Sequence, residues 1–307
     1  MKLLITGACG HIGSYIVENV HKIKKIKKVI LIDNFNAHRY HTIFNLNNRK
    51  KFKFNQIDLS KEKLDKFEKV DVVIHCASHT NAQDSFLNEN DMFENNISCI
   101  KNIISYCIKK KSKLIHISSS SVYGTSEKIM KENVGKILKP QSPYAKIKLI
   151  EERLLKSNKN KMKYISFRFG TISGVSKGMR FHTAINKFCL SVSLNQKVEV
   201  YKTAINQYRP YLSLKDAFKL FKFCIIKNVF DNDTYNICSG NFTVSQIIKM
   251  IKKYKKNVKV KFINSKIMNR LSYHLDNKKI RNLGLNLNSS IQKDIKETLG
   301  LFKNLGN

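Results

Sequence analysis

Apolar and β-branched residues along the chain gather in short uninterrupted runs: KLLI at 2–5, KVILI at 28–32, VDVVIH at 70–75, KLIHI at 113–117 and KYISFRF at 163–169. Runs without polar alternation suit strands covered on both faces. Helix-length stretches lie between them, at about 11–25, 90–110 and 143–158. This rhythm predicts an α/β fold over residues 1–170, a doubly wound parallel sheet with right-handed crossovers. Beyond residue 171 the rhythm changes to a Gly-containing loop (Thr171 to Gly178), a helix at about 180–194, a short VEVY strand and a helix from Leu214. A smaller α/β lobe is therefore expected over 171–307, with the run TYNICSG at 234–240 returning to the main sheet. The segment DNKKIRNLGLNL at 276–287 reads as a short helix ended by Gly284.

Composition adds limits. Hydrophobic residues make up 42% of the 307 and only three prolines occur (Pro140, Pro143, Pro210), enough for a buried core and too ordered for a disordered chain. No apolar stretch approaches the roughly 18 residues of a membrane span, and Leu3 to Ile5 is too short for a signal-peptide core. A cytoplasmic protein without membrane association is expected. The seven cysteines are scattered with no CxxC spacing, and His38 and His41 lack a third ligand, so neither a disulfide framework nor a metal site is indicated. Charge is extreme, 57 Lys plus Arg against 22 Asp plus Glu for a net of +35. The lysines nevertheless alternate with core-forming residues, as in KIKKIKK (22–28) and MIKKYKKNVKVKF (250–262). They read as solvated faces whose field favours small anionic substrates over a nucleic-acid partner.

The candidate chemistry begins at TGACGHIGS (6–14), which places Gly7, Gly10 and Gly13 directly behind the first strand and ahead of an amphipathic helix. A dinucleotide pyrophosphate needs such a turn, because side chains would keep it from the backbone N–H groups at the helix N-terminus. Asp33 closes the second strand, where a carboxylate accepts the adenosine ribose hydroxyls and repels a 2′-phosphate, favouring NAD over NADP. In SPYAKIK (142–148), Ser142 and Pro143 open a helix that sets Tyr144 and Lys148 four apart on one face. A phenol ordinarily loses its proton near pH 10, so a base working near neutrality must be pulled down by roughly three pH units, about 4 kcal/mol. A neighbouring ammonium and a positive nicotinamide supply that pull. Upstream, HISSSSVYG (116–124) puts four hydroxyls at the carboxyl end of a strand, where ligands collect in open parallel sheets.

TGACGHIGS, SSSSVYG and YAKIK in that order resemble the extended short-chain dehydrogenase/reductase family, of the NAD-dependent nucleotide-sugar epimerase/dehydratase type similar to UDP-galactose (UDP-glucose) 4-epimerase. DNFN (33–36), IDLS (57–60), HCAS (75–78), ENNISCIKNII (94–104), RFGTISG (168–174), QYRPYLSLKDA (207–217) and YNICSG (235–240) extend the likeness over nearly the full chain. It implies a Rossmann-type fold and the following roles. Tyr144 is the general base, Lys148 binds the nicotinamide ribose and lowers the tyrosine's pKa, and Ser119 orients the reacting hydroxyl. Gly7, Gly10, His11, Ile12 and Gly13 lie along the pyrophosphate, with Asp33 and Asn34 on the ribose. Asp58 and Leu59 lie near adenine, Cys76, Ala77 and Ser78 along the cofactor, and Asn96 supports the site from its helix. Substrate contacts fall to Ser120, Ser121, Thr171, His182, Thr183 and Tyr201, with Arg209 and Arg270 on the nucleotide diphosphate.

Three departures matter. Dehydratases of this family carry acidic residues directly after the catalytic hydroxyl, where this chain has Ser120 and Ser121. Thr171 replaces the family's usual asparagine, and GVSKGMRFHTAINKF (174–188) departs from the standard 4-epimerase loop. The expected activity is C4 inversion of a nucleotide-diphosphate hexose through a transient keto sugar, by a homodimer. Alternatives are a keto-sugar reductase of the same family and a non-catalytic dinucleotide sensor or RNA-binding protein.

Overall fold

The computed structural model describes residues 1–46, 51–81, 84–125, 129–132, 138–264 and 272–303. Its centre is a seven-stranded sheet. The strands are β1 (Lys2–Thr6), β2 (Lys28–Asp33), β3 (Phe52–Gln56), β4 (Val72–His75), β5 (Lys113–Ser119), β7 (Tyr164–Phe169) and β11 (Thr234–Ile237), and β6 is a two-residue strand at Ile129–Met130 outside it. They are ordered β11-β7-β5-β4-β1-β2-β3, every pair parallel. Strand order reverses between β1 and β4, which opens a crevice beyond their carboxyl ends.

The uninterrupted apolar runs have a direct explanation. Successive residues of a strand face opposite sides, so Leu3 and Ile5 pack into one core with Val29, Leu31, Ile115 and Phe167, whereas Leu4 packs into the other with Ile30, Val73 and Leu114. The first core is covered by α1 (His11–Asn19) and α5 (Leu214–Lys227), the second by α2 (Glu89–Lys110) and the end of α3 (Pro143–Ser157).

The elements beyond the main sheet and its helices are β8 (Thr171–Ser173), α4 (Ala184–Ser193), β9 (Val198–Tyr201), β10 (Tyr208–Ser213), β12 (Gly240–Thr243), α6 (Val244–Lys252), β13 (Val260–Ile263), β14 (His274–Leu275), α7 (Lys278–Asn282) and α8 (Ile291–Gly300). Of these, α4, β9, β10, α6 and α8 build a separate core of Ile185, Phe188, Val198, Tyr211, Ile247 and Ile295, whereas Ile172 of β8 and Ile280 of α7 join the first core and Leu275 of β14 packs with Val122, Tyr123 and Met130. A three-stranded sheet, β12-β10-β8, and the pairs β13-β9 and β14-β6 complete the topology.

Local differences from the pattern have physical causes. The first helix stops at Asn19 rather than near 25, because Ile23 and Ile26 turn inward through successive tight turns and become core residues while the lysines between them stay outside. The third strand, FKFNQ, was not foreseen. It is an edge strand with both phenylalanines only half-buried. The helix expected from 180 begins at Ala184, since Arg180, His182 and Thr183 line a cleft instead.

One buried ion pair ties α3 to the sheet. Arg168 on β7 meets both oxygens of Glu152, from Nε at 3.0 Å and Nη2 at 2.7 Å, and its Nη1 donates to Tyr123 Oη at 2.8 Å. Ser118 also donates to Glu152, at 2.5 Å. Glu152→Gln leaves the guanidinium buried without an anion, so we expect a loss of about 3–5 kcal/mol in urea unfolding. A change within experimental scatter would mean that the pair is not what secures α3.

Candidate active-site cleft

Beyond the carboxyl ends of β1, β4 and β5 lies a cleft of about 910 Å³. Its first wall is the glycine turn. Gly7 has φ +62°, and a Cβ there would sit 2.6 Å from Ala77 N. A Cβ on Gly13 would sit 2.1 Å from the Gly7 carbonyl oxygen, so the helix can start this close to β1 only without a side chain. Gly10 caps α1 without a side-chain bond, which leaves the first-turn amides without intrahelical partners and aimed at the cleft. His11 Nε2 donates to Gly174 O at 2.8 Å, while its buried Nδ1 has no partner among the described residues. Burial holds this imidazole neutral, its pKa pulled down to about 3.

The second wall comes from β5 and α3. Ser119 Oγ lies 2.8 Å from Ser121 Oγ and accepts from Ser121 N at 3.2 Å, and Ser120 bonds Tyr273 Oη at 3.0 Å. Ser142 caps α3 by accepting from Ala145 N at 3.2 Å, with Pro143 in the first turn. That start directs Tyr144 and Lys148 into the cleft, with Lys148 Nζ 5.9 Å from the Tyr144 ring centre. Lys148 Nζ donates to Glu151 Oε2 at 2.8 Å. Burial opposes the ammonium's charge, yet Glu151 and the Tyr144 phenol outweigh it and raise its pKa above the ordinary lysine value. Burial likewise opposes the Glu151 carboxylate, which Lys148 and His116 bring down to about 2.

Gly7, Gly10, His11, Ile12, Gly13, Cys76, Ser78, Ser119, Ser120, Ser121, Tyr144, Lys148, Thr171, His182, Thr183, Tyr201 and Arg209 thus share one cleft. Asp33, Asn34, Asp58, Leu59, Ala77 and Asn96 stand outside its lining. Asp33 accepts from Cys9 N and Phe35 N, each at 2.9 Å, and so fixes the glycine turn. Asp58 takes both the amide and hydroxyl of Ser60, Leu59 is core, and Ala77 N donates to Thr6 Oγ1 at 3.3 Å. Asn96 pins His79 by its amide and carbonyl, at 2.8 and 3.0 Å. Arg270 lies outside the described residues.

Sequence reasoning passed over Arg39 and Arg180, which also line the cleft. Arg180 bonds Thr80 through Nη1, but its buried Nε has no partner among the described residues. No carboxylate among the described residues pairs with Arg180 or Arg209, and burial lowers the pKa of both guanidinium groups. A signal existed: the chain has eight arginines against 49 lysines, and three of the eight line this cleft. Among the described residues no group of three His, Cys, Asp or Glu could hold a metal ion, and no helix is long and apolar enough to cross a membrane.

A parallel sheet carrying a side-chain-free turn at its reversal point, with a Tyr–Lys pair across the crevice, defines a Rossmann-type enzyme of the extended short-chain dehydrogenase/reductase class. The NAD dependent epimerase/dehydratase family model matches residues 3–238, and the chain belongs to that family. Its cofactor is NAD. Among curated relatives, ADP-L-glycero-D-manno-heptose-6-epimerase of Brachyspira hyodysenteriae is 25% identical, over 95% of this chain and 96% of that protein. The dTDP-D-glucose 4,6-dehydratase of Dictyostelium discoideum is 29% identical over 80% of this chain and 60% of its own length. Among solved structures, UDP-glucuronic acid 4-epimerase from Bacillus cereus, in complex with UDP-glucuronic acid and NAD, superposes with a TM-score of 0.90 at 25% identity, covering 99% of both chains.

Because a methyl group at position 13 must displace the Gly7 carbonyl, Gly13→Ala should weaken NAD binding at least about tenfold, or about 1.4 kcal/mol, by calorimetric titration. Native affinity in that variant would show that the cofactor does not approach this turn.

Proposed function

We propose that the chain is a nucleotide-sugar epimerase that inverts C4 of a nucleotide-diphosphate hexose through a transient keto sugar. The observation that carries this is the convergence of Ser119, Tyr144 and Lys148 on the cleft that also contains the glycine turn. Serines rather than acids follow Ser119, and so the stretch lacks the proton donor that elimination of water needs. NAD, when bound, supplies the acceptor for the hydrogen on the reacting carbon. Tyr144 takes the hydroxyl proton as that hydrogen leaves and returns it after the ketone has presented its other face. Ser119 holds the hydroxyl, and the Lys148 ammonium favours the phenolate. Arg209 and Arg180, which have no carboxylate partner among the described residues, offer charge to the diphosphate, so that the sugar can turn over without release.

The cofactor half comprises 1–170 with the returning strand at 234–240, and the substrate half 171–307. Residues Leu87 and Phe93, exposed at 83% and 42% near the start of α2, support a homodimer through α2 and α3. Nothing in the cleft calls for nucleic acid or a membrane, and we read the protein as cytoplasmic.

Purified protein incubated with UDP-, GDP-, CDP-, ADP- and dTDP-sugars, without added cofactor, should invert C4 of one of them, as read by NMR. Tyr144→Phe should slow this by about 10²–10⁴-fold. Strict dependence on added NADH or NADPH with net reduction would make it a keto-sugar reductase instead. Inversion at C6 alone would move the chemistry to the carbon named for the Brachyspira relative.

A further inference from the structure

Behind the Tyr–Lys pair lies a buried polar chain. Glu151 Oε2 accepts from Lys148 Nζ at 2.8 Å and from His116 Nε2 at 2.7 Å, and His116 Nδ1 is 2.9 Å from Ser166 Oγ. Relative exposure is 3% for Lys148, 1% for Glu151 and zero for His116 and Ser166. An ammonium this buried keeps its charge only beside an anion. The titratable groups that face Lys148 are Tyr144 and Glu151 on α3, His116 on β5, His75 and Cys76 at the end of β4, and Cys99 on α2. His75 is held neutral by burial, its pKa near 3, and burial pushes both thiols up to about 12. Glu151 is therefore the one carboxylate in contact with Lys148 among the described residues.

We infer that Glu151 is a positioning residue for the reaction: it takes one of the three ammonium N–H bonds of Lys148, keeps that ammonium charged beside Tyr144, and leaves two N–H bonds for the cleft. His116, braced by Ser166, fixes the carboxylate from behind, so that the geometry survives when the cleft fills. The first turn of α3 brings the phenol, its second the ammonium and its third the anion, so one helix face carries the whole arrangement. Without Glu151 the buried lysine surrenders its proton, and the phenol loses the neighbouring charge that favours its ionisation. The inference rests on the Tyr144–Lys148 reading given above.

The test needs no sugar. In NAD-loaded protein carrying ¹³C-labelled tyrosine, the Tyr144 ring signal is the one missing from the Tyr144→Phe variant. Its ionisation midpoint should rise by about one pH unit or more in E151Q, and stay near the native value in E151D and H116Q. Should E151Q not fold, the double variant E151L/H116L removes the carboxylate and imidazole together, and the same rise is expected. An unmoved midpoint in E151Q or the double variant overturns the role of Glu151. So does a rise in H116Q as large as in E151Q, since packing rather than charge would then govern the phenol. Retention of sugar turnover by Tyr144→Phe would instead remove the Tyr–Lys reading, and this inference with it.

Discussion

Close backbone approach at Gly7 is the constraint on which the molecule is organised. Three segments meet there: the end of β4 presses on Gly7, α1 begins against the Gly7 carbonyl, and the loop after β8 closes over both. A Cβ on Gly178 would sit 2.3 Å from Cys9 O, so that loop touches the turn backbone to backbone. Three hydrogen bonds fasten it: His11 Nε2 to Gly174 O, Ser176 Oγ to His11 O at 2.9 Å, and Gly178 N to Ser14 Oγ at 2.8 Å. The glycine turn is thus also the place where the loop after β8 is fastened to the start of α1.

How much of this the sequence carried depended on how local each cause was. The parallel sheet was legible because each buried strand writes its own apolar run, and Ser142-Pro143 announced the helix that bears Tyr144. Strand FKFNQ was hidden because an edge strand buries one face poorly and its lysine breaks the run. Arg180 was hidden for another reason. Its place beside Thr80, a hundred positions earlier, exists only after folding. Glu151 reads in sequence as one more charge on a helix surface, and nothing local says that it points inward to His116 on β5.

Charge is divided between two uses. Most lysines sit on the exterior, where solvent and salt reduce their pairwise effects. Inside, Arg39, Arg180 and Arg209 line the cleft; a guanidinium is less strongly hydrated than an ammonium and its planar fork suits phosphate oxygens. Among the described residues Arg180 and Arg209 have no carboxylate partner, so their burial is not offset by an internal anion; the diphosphate proposed above is the anion that would offset it. On the reading proposed above, the general positive field and these two guanidinium groups act at different ranges on the same diphosphate.

Consecutive residues Glu151 and Glu152 show how the fold tolerates charge at its centre. Glu151 is buried on α3 and Glu152 nearly so, yet neighbouring positions on a helix diverge by about 100°, so each reaches a different cation. Glu152 faces the sheet and is met in a fork by Arg168, with Ser118 and Tyr123 completing the shell, a rigid pair suited to holding an element in place. Glu151 meets a lysine and a histidine through a single oxygen, leaving the ammonium two unspent bonds. A fork with Arg168 is saturated and structural; a shared contact with Lys148 is unsaturated on the cleft side. In that difference of valence, rather than in burial, lies the distinction between the carboxylate that secures α3 and the one we assign to the chemistry.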